Sequence, residues 1–239
     1  MKSWMKRWLG VAVLMGASVV AVAQEVIPAN AEGETVLSIP ADGVASVSVP
    51  YRNPADADGM FRFGETGIAQ GLPEGSVVFF WDGERQKWGG GMKSAFGWEP
   101  AEANRVLAVG EGFCVRNGGT EALEVTAGGE IPPDECLVCA YRGGGAWTLM
   151  AYPYPDGGDE GDGSIRFGET DLAGQLPSGA QVRFWDANSQ SWSGGTKSAK
   201  GWSASLSQRV IGMGEAFFIR SGLGDDDGEW VVEKPYEWP

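Results

Sequence analysis

Three carboxylates occur twice in this chain, 104 residues apart: Glu65 and Glu169, Asp82 and Asp186, Glu111 and Glu215. Paired carboxylates are the minimum equipment of a glycosidase, one serving as acid and the other as base or nucleophile. Each also has a structural explanation. Asp82 and Asp186 open turns, where an aspartate side chain accepts from nearby backbone N–H groups. Glu65 and Glu111 follow glycines and have Arg62, Arg105 and Arg116 as ion-pair partners within reach. A catalytic site rarely exists in duplicate within one small chain, so no catalytic residue is assigned.

Acidic loops suggest a second chemistry. Asp56-Ala57-Asp58 and the run containing Asp156, Asp159 and Asp162 occupy equivalent places, and Asp225-Asp226-Asp227 lies near the end. Calcium takes six to eight oxygens from such loops, and extracellular calcium can fill weak sites. None of these loops has the twelve-residue EF-hand spacing, and a solvated turn is the default reading. Calcium is the one cofactor the residues leave open.

Tryptophan offers a third. Trp81, Trp88 and Trp98 have partners at Trp185, Trp192 and Trp202. An exposed indole face stacks on a sugar ring, whereas tryptophans flanking a hairpin also serve as cross-strand packing. These six are the candidate ligand-binding residues.

Cysteine and histidine usage removes much else. Cys136 and Cys139 form a C-x-x-C, but Cys136 to Tyr141 reads as a strand, where positions i and i+3 face opposite sides. A redox motif would sit at a helix start. A zinc site needs four ligands, and the chain has no second C-x-x-C and no histidine. A disulfide from Cys114 to Cys136 or Cys139 is expected in an oxidising compartment, leaving one thiol unpaired. The lack of histidine removes Ser-His-Asp and Cys-His catalysis, zinc proteases and histidine haem ligation. No phosphate-cradling glycine loop precedes a helix.

The elements that carry these residues come from a duplication. Arg62-Phe63-Gly64-Glu65-Thr66 recurs as Arg166-Phe167-Gly168-Glu169-Thr170, and Phe80-Trp81-Asp82 as Phe184-Trp185-Asp186. Between Arg62 and Arg116, 28 of 55 positions match their counterparts without a gap, far above chance. Upstream, Val44 to Pro50 corresponds to the strand beginning at Trp147. Residues 24–128 and 129–239 therefore form two modules. About 100 residues can bury a core of their own.

Each module reads as short strands broken by glycine turns, with one helical turn around Gly67 to Gly71 and its match at Asp171 to Gln175. Asp42-Gly43 and Asp82-Gly83 are hairpin signals. The fold class is all-β: two tandem small β-barrel or β-sandwich modules. Val78, Phe80, Val182 and Phe184 are apolar in both copies and are assigned to the core. The opposite face, Val77, Phe79 and Trp81, is apolar in the first copy and mostly polar in the second (Gln181, Arg183, Trp185), and is expected to be covered by the other module.

Residues 1–23 read as a signal peptide. Lys2, Lys6 and Arg7 precede an apolar run from Leu9 to Val22, and Ala21-Val22-Ala23 supplies the small residues for cleavage. The run is short for a membrane span of roughly 20 residues. Losing those three cations takes the formal charge from −14 to −17. Such an acid excess disfavours nucleic acid and anionic membranes as partners. A secreted, periplasmic or cell-surface location follows.

The strand from Trp147 to Pro155, the segment Phe184-Trp185-Asp186 and the closing Gly214 to Arg220 resemble a loosely defined tandem repeat of exported bacterial proteins of unknown function. The resemblance implies an envelope-associated β domain and transfers no activity or site residues. The first copy departs at Cys114, where the second has Phe218. The expected function is a non-catalytic binding or structural role at the cell surface or envelope, with a cell-surface protein or polysaccharide as partner. The alternative is a carbohydrate-active protein, either a sugar-binding module or a weak glycosidase.

Overall fold

The computed structural model describes residues 31–155, 164–224 and 226–236. Residues 1–23, read above as a signal peptide, and Asp156, Asp159, Asp162 and Asp225 lie outside the described residues. The described chain is predominantly β. Its first half contains β1 (Glu32–Ile39), β2 (Val44–Ser48), β3 (Phe61–Arg62), β4 (Val77–Asp82), β5 (Lys87–Met92), β6 (Val106–Leu107), β7 (Gly112–Arg116) and β8 (Leu123–Glu130). The second contains β9 (Cys136–Tyr141), β10 (Trp147–Ala151), β11 (Ile165–Arg166), β12 (Gln181–Asp186), β13 (Ser191–Thr196), β14 (Val210–Ile211), β15 (Ala216–Arg220) and β16 (Gly228–Glu233).

The two halves share one topology. A four-stranded antiparallel sheet runs β2-β7-β4-β5 in the first and β10-β15-β12-β13 in the second. Two-stranded ribbons accompany each sheet: β1-β8 and β3-β6 in the first half, β16-β9 and β11-β14 in the second. Alternation decides the faces. Val78 and Phe80 on β4 are buried with Val47 and Phe113 in the first core; Val182 and Phe184 are buried with Phe217 and Ile219 in the second.

The Asp82-Gly83 hairpin forms as expected, with Asp82 opposite Lys87. The Asp42-Gly43 expectation is corrected. A turn is present, with the Gly43 N–H donating to the Pro40 carbonyl, but β1 pairs with β8 and β2 with β7. Pro40 has no N–H to return to Gly43, so the ladder cannot start there. The chain instead turns a corner between two sheets.

The short helices α1 (Gly67–Gly71) and α3 (Asp171–Gln175) stand where the sequence places them. Thr66 and Thr170 cap them, accepting from the Ala69 and Ala173 N–H groups. Two further turns, α2 (Pro100–Ala103) and α4 (Ala204–Ser207), are too short to show a helical period.

The shared Lys-Ser-Ala and Gly-Trp segments hold the carbonyl ends of α1 and α3. Lys197 Nζ donates to the Ala173, Gly174 and Leu176 carbonyls at 2.8, 2.9 and 2.6 Å, and Trp202 Nε1 donates to Ala173 O at 2.9 Å. Lys93 and Trp98 repeat the arrangement on Ala69, Gln70 and Leu72. An ammonium satisfies three carbonyls at once, so Lys197→Met is expected to destabilise the fold by about 2 kcal/mol or more. Urea denaturation should show a lower midpoint with an unchanged m-value. An unchanged midpoint would mean these carbonyls find water without cost.

Candidate functional site

The junction between the modules obeys an approximate twofold relation, which follows from docking two copies of one unit on the same patch. The Ser48 N–H donates to Gly214 O at 2.8 Å, and the Ala151 N–H to Gly110 O at 2.9 Å. Trp81 Nε1 donates to Trp147 O at 2.9 Å, and Trp185 Nε1 to Val44 O at 2.7 Å. Gln86 closes a pair of bonds with the Trp147 backbone, and Gln190 does so with the Val44 backbone. Thus the hairpin tip of each module caps the first residue of the other's β2 or β10 strand. Several residues that the twins share therefore hold the twins to each other.

Between the two sheets lies a junction cluster of Cys114, Leu149, Ala151, Ala216 and Phe218, with Phe79, Trp81, Val44 and Trp147 packed on it. The expected cover is found here for Phe79 and Trp81; Val77, the third residue of that face, is half-buried but does not belong to this cluster. The close approach explains Gly112, where a Cβ would stand 2.6 Å from Ala216 Cβ and 2.9 Å from Leu149 Cγ.

Toward β5 and β13 the junction opens into an aromatic groove with two lobes. One, of about 330 Å³, is lined by Trp81, Trp88, Trp147, Arg183, Trp192 and Phe218. The other, of about 270 Å³, is lined by Trp185, Trp192, Val44, Phe79, Trp88 and Cys114. These sets are counterparts, position for position. Trp88 and Trp192 belong to both lobes and remain 41% and 43% exposed. Phe218 is the hub, with ring centroids 5.2 Å from Trp81, 5.7 Å from Trp88, 5.9 Å from Trp147 and 5.4 Å from Trp192.

Of the six candidate tryptophans, four converge on this groove: Trp81, Trp88, Trp185 and Trp192. Trp98 and Trp202 do not. They pack edge-on against Phe63 and Phe167, each at 5.0 Å, and spend their N–H groups on helix carbonyls. The sequence assignment missed Trp147, whose counterpart is Val44 and which therefore left no repeat signal. The one signal for Phe218 was the departure at Cys114.

The paired carboxylates are engaged elsewhere. Asp82 accepts from the Glu84 and Arg85 N–H groups, Asp186 from those of Asn188 and Ser189. These backbone bonds hold both aspartates below the usual carboxylate range. Glu111 pairs with Arg105 at 2.6 Å and Glu215 with Arg209 at 2.5 Å. Burial pushes the Glu215 carboxyl up, against the pull of Arg209. Glu65 accepts from the Arg62 N–H and Glu169 from the Arg166 side chain. None of the six lines either lobe.

Asp56 uses its Oδ1 on the Asp58 and Met60 N–H groups, an Asx-type turn. Among the described residues no three acidic or cysteine side chains gather as a metal site. The disulfide expectation is corrected: Cys114, Cys136 and Cys139 are all free thiols. Cys114 is buried at the junction and Cys139 in the second core, while Cys136 is exposed on the opposite side of β9. Burial pushes the Cys114 and Cys139 thiols up to about 12.

Comparison with protein-family models, curated proteins and solved structures finds no match. Among the described residues no helix is long and apolar enough to cross a membrane.

Proposed function

We propose that this protein is an exported, non-catalytic binding protein of the cell surface or envelope, and that it holds a glycan on the tryptophans at its module junction. One observation carries the reading. Five indoles from two modules converge on one groove, and Trp88 and Trp192 leave a large share of their surface to solvent although apolar neighbours surround them. A sugar ring suits such a groove, because its C–H face covers the indole while its hydroxyls stay wet. The lobes are at the lower end of small-ligand sites, a size for rings rather than for a folded partner. A binding role without hydrolysis is supported by the carboxylates, which are committed to turns and guanidinium groups away from the groove. The apolar run before Gln24 and the acidic surface support export.

Intrinsic tryptophan fluorescence titrated with a panel of soluble glycans, joined to pull-down on insoluble polysaccharides, tests the reading. Retention of at least one glycan is expected, weakened about tenfold by Trp88→Ala and by Trp192→Ala through loss of one stacked face. Trp202→Phe, away from the groove, should bind as before. Retention of nothing, or binding indifferent to Trp88 and Trp192, would sink the proposal.

A further inference from the structure

The two lobes descend from the same residues but are no longer the same site. Phe79 has become Arg183, Val44 has become Trp147, and Cys114 has become Phe218. A fourth change lies at the rim. In the first module Arg116 forms an ion pair with Asp42. Its counterpart Arg220 faces Gly145, which matches Asp42 in position and in its positive φ of 74° against 49°. With no carboxylate there, the Arg220 Nε–H donates to the Gly145 carbonyl at 2.6 Å, and its guanidinium lies 5.8 Å over the Trp147 ring.

Strand register puts both cations on the groove face. Arg183 stands opposite Phe218, and Arg220, two residues along, stands opposite Trp147 and Gln181. Among the described residues neither Arg183 nor Arg220 makes an ion pair. That is notable in a chain with 32 acidic and 18 basic side chains. Three of the four changes add an aromatic face or a cation, and the fourth removes an anion. Among the described residues the first lobe has no charged group in its lining.

We infer that the second-module lobe is selective for an acidic sugar. The ring lies on Trp88 and Trp192, whose faces are open, with Phe218 packed behind them, and its carboxylate is held by Arg183 and Arg220. This rests on the glycan reading above and specifies it. Guanidinium groups bind carboxylates through paired, charge-assisted N–H bonds, which a neutral ring cannot make. The net charge of −14 opposes anions at long range. The contact is therefore local: one uronate residue, not the track of a polyanion.

Short oligomers of galacturonate, glucuronate and mannuronate, each beside its methyl ester, test the inference by calorimetry on the full chain. At least one acid should bind tenfold or more tightly than its own ester. Arg183→Phe, which installs the first module's residue, should abolish that difference while near-UV circular dichroism stays unchanged. Arg183→Lys should keep part of it. Gly145→Asp, which supplies Arg220 with the carboxylate that Arg116 has, should reduce the difference several-fold. Esters that bind as tightly as acids would overturn the inference and leave the glycan reading standing. Acid selectivity falls in the same way if only neutral glycans bind, or if the acid preference survives Arg183→Phe. Binding of no glycan at all would overturn both.

Discussion

Between pH 9 and about 12 the folded protein is expected to lose several kcal/mol of stability, because two buried thiols stay protonated until the chain unfolds. Cys114 sits at the module junction and Cys139 in the second core, and burial raises both from an ordinary 9.0 to about 12. A folded-state pKa above the unfolded value stabilises fully below the unfolded pKa. That contribution is lost as pH climbs through the folded pKa, since only the unfolded chain can release the proton. A gap of roughly three units corresponds to an upper limit of about 4 kcal/mol for each thiol. Total stabilities of roughly 5–15 kcal/mol make that a large share. Tyr51, also raised by burial, pulls in the same direction. Urea denaturation under reducing conditions, repeated at intervals from about pH 8 to 12, measures the slope. It should be steep in the natural chain and shallower in a Cys114→Ala, Cys139→Ala double variant. A thiol reagent at about pH 8 should modify Cys136 alone in the folded protein and all three cysteines in urea. A flat stability profile, or rapid labelling of Cys114, would refute the burial assigned to these thiols.

What could be read in advance follows from which forces are local. The repeat, the core positions Val78, Phe80, Val182 and Phe184, the Asp82 hairpin and the single-turn helices all depend on alternation, turn chemistry and caps within a few residues. The opposite facing of Cys136 and Cys139 came from strand geometry alone. The corner at Asp42-Gly43 was missed because a turn dipeptide gives a reversal but not the partner of the strand that follows. That partner is set by Pro40 and by the demand of β7 for a neighbour. The groove was only half legible. Repeated tryptophans marked it, but the repeat could not separate Trp81 and Trp185 at the junction from Trp98 and Trp202 under the helices. It was also blind to Trp147 and Arg183, which matter because the other copy lacks them. Gln86 and Gln190 are shared identities whose role exists only across the junction, in left-handed backbone at φ 50° that few residues adopt readily.

Phe218→Ala is expected to cost about 3–5 kcal/mol, the range for emptying a buried phenylalanine site, although it lies in neither module's own core. The ring is only 8% exposed and touches two indoles from each module, so its loss uncouples the halves as well as opening a void. The neighbours cannot simply collapse inward. Trp81 is anchored by its N–H on the Trp147 carbonyl. The far end of the junction is already at contact distance around Gly112 and Ala216, which blocks closer approach of the sheets. Cys114→Ala at the twin position removes a single sulfur and should cost about 1 kcal/mol. The contrast between these two variants, read as urea midpoints alongside near-UV circular dichroism of the tryptophans, separates a junction built around one aromatic hub from one held by backbone bonds. If Phe218→Ala were as mild as Cys114→Ala, the reciprocal contacts of Trp81, Trp185, Gln86 and Gln190 would be the dominant clamp, and the groove would be a by-product of docking rather than its organising centre.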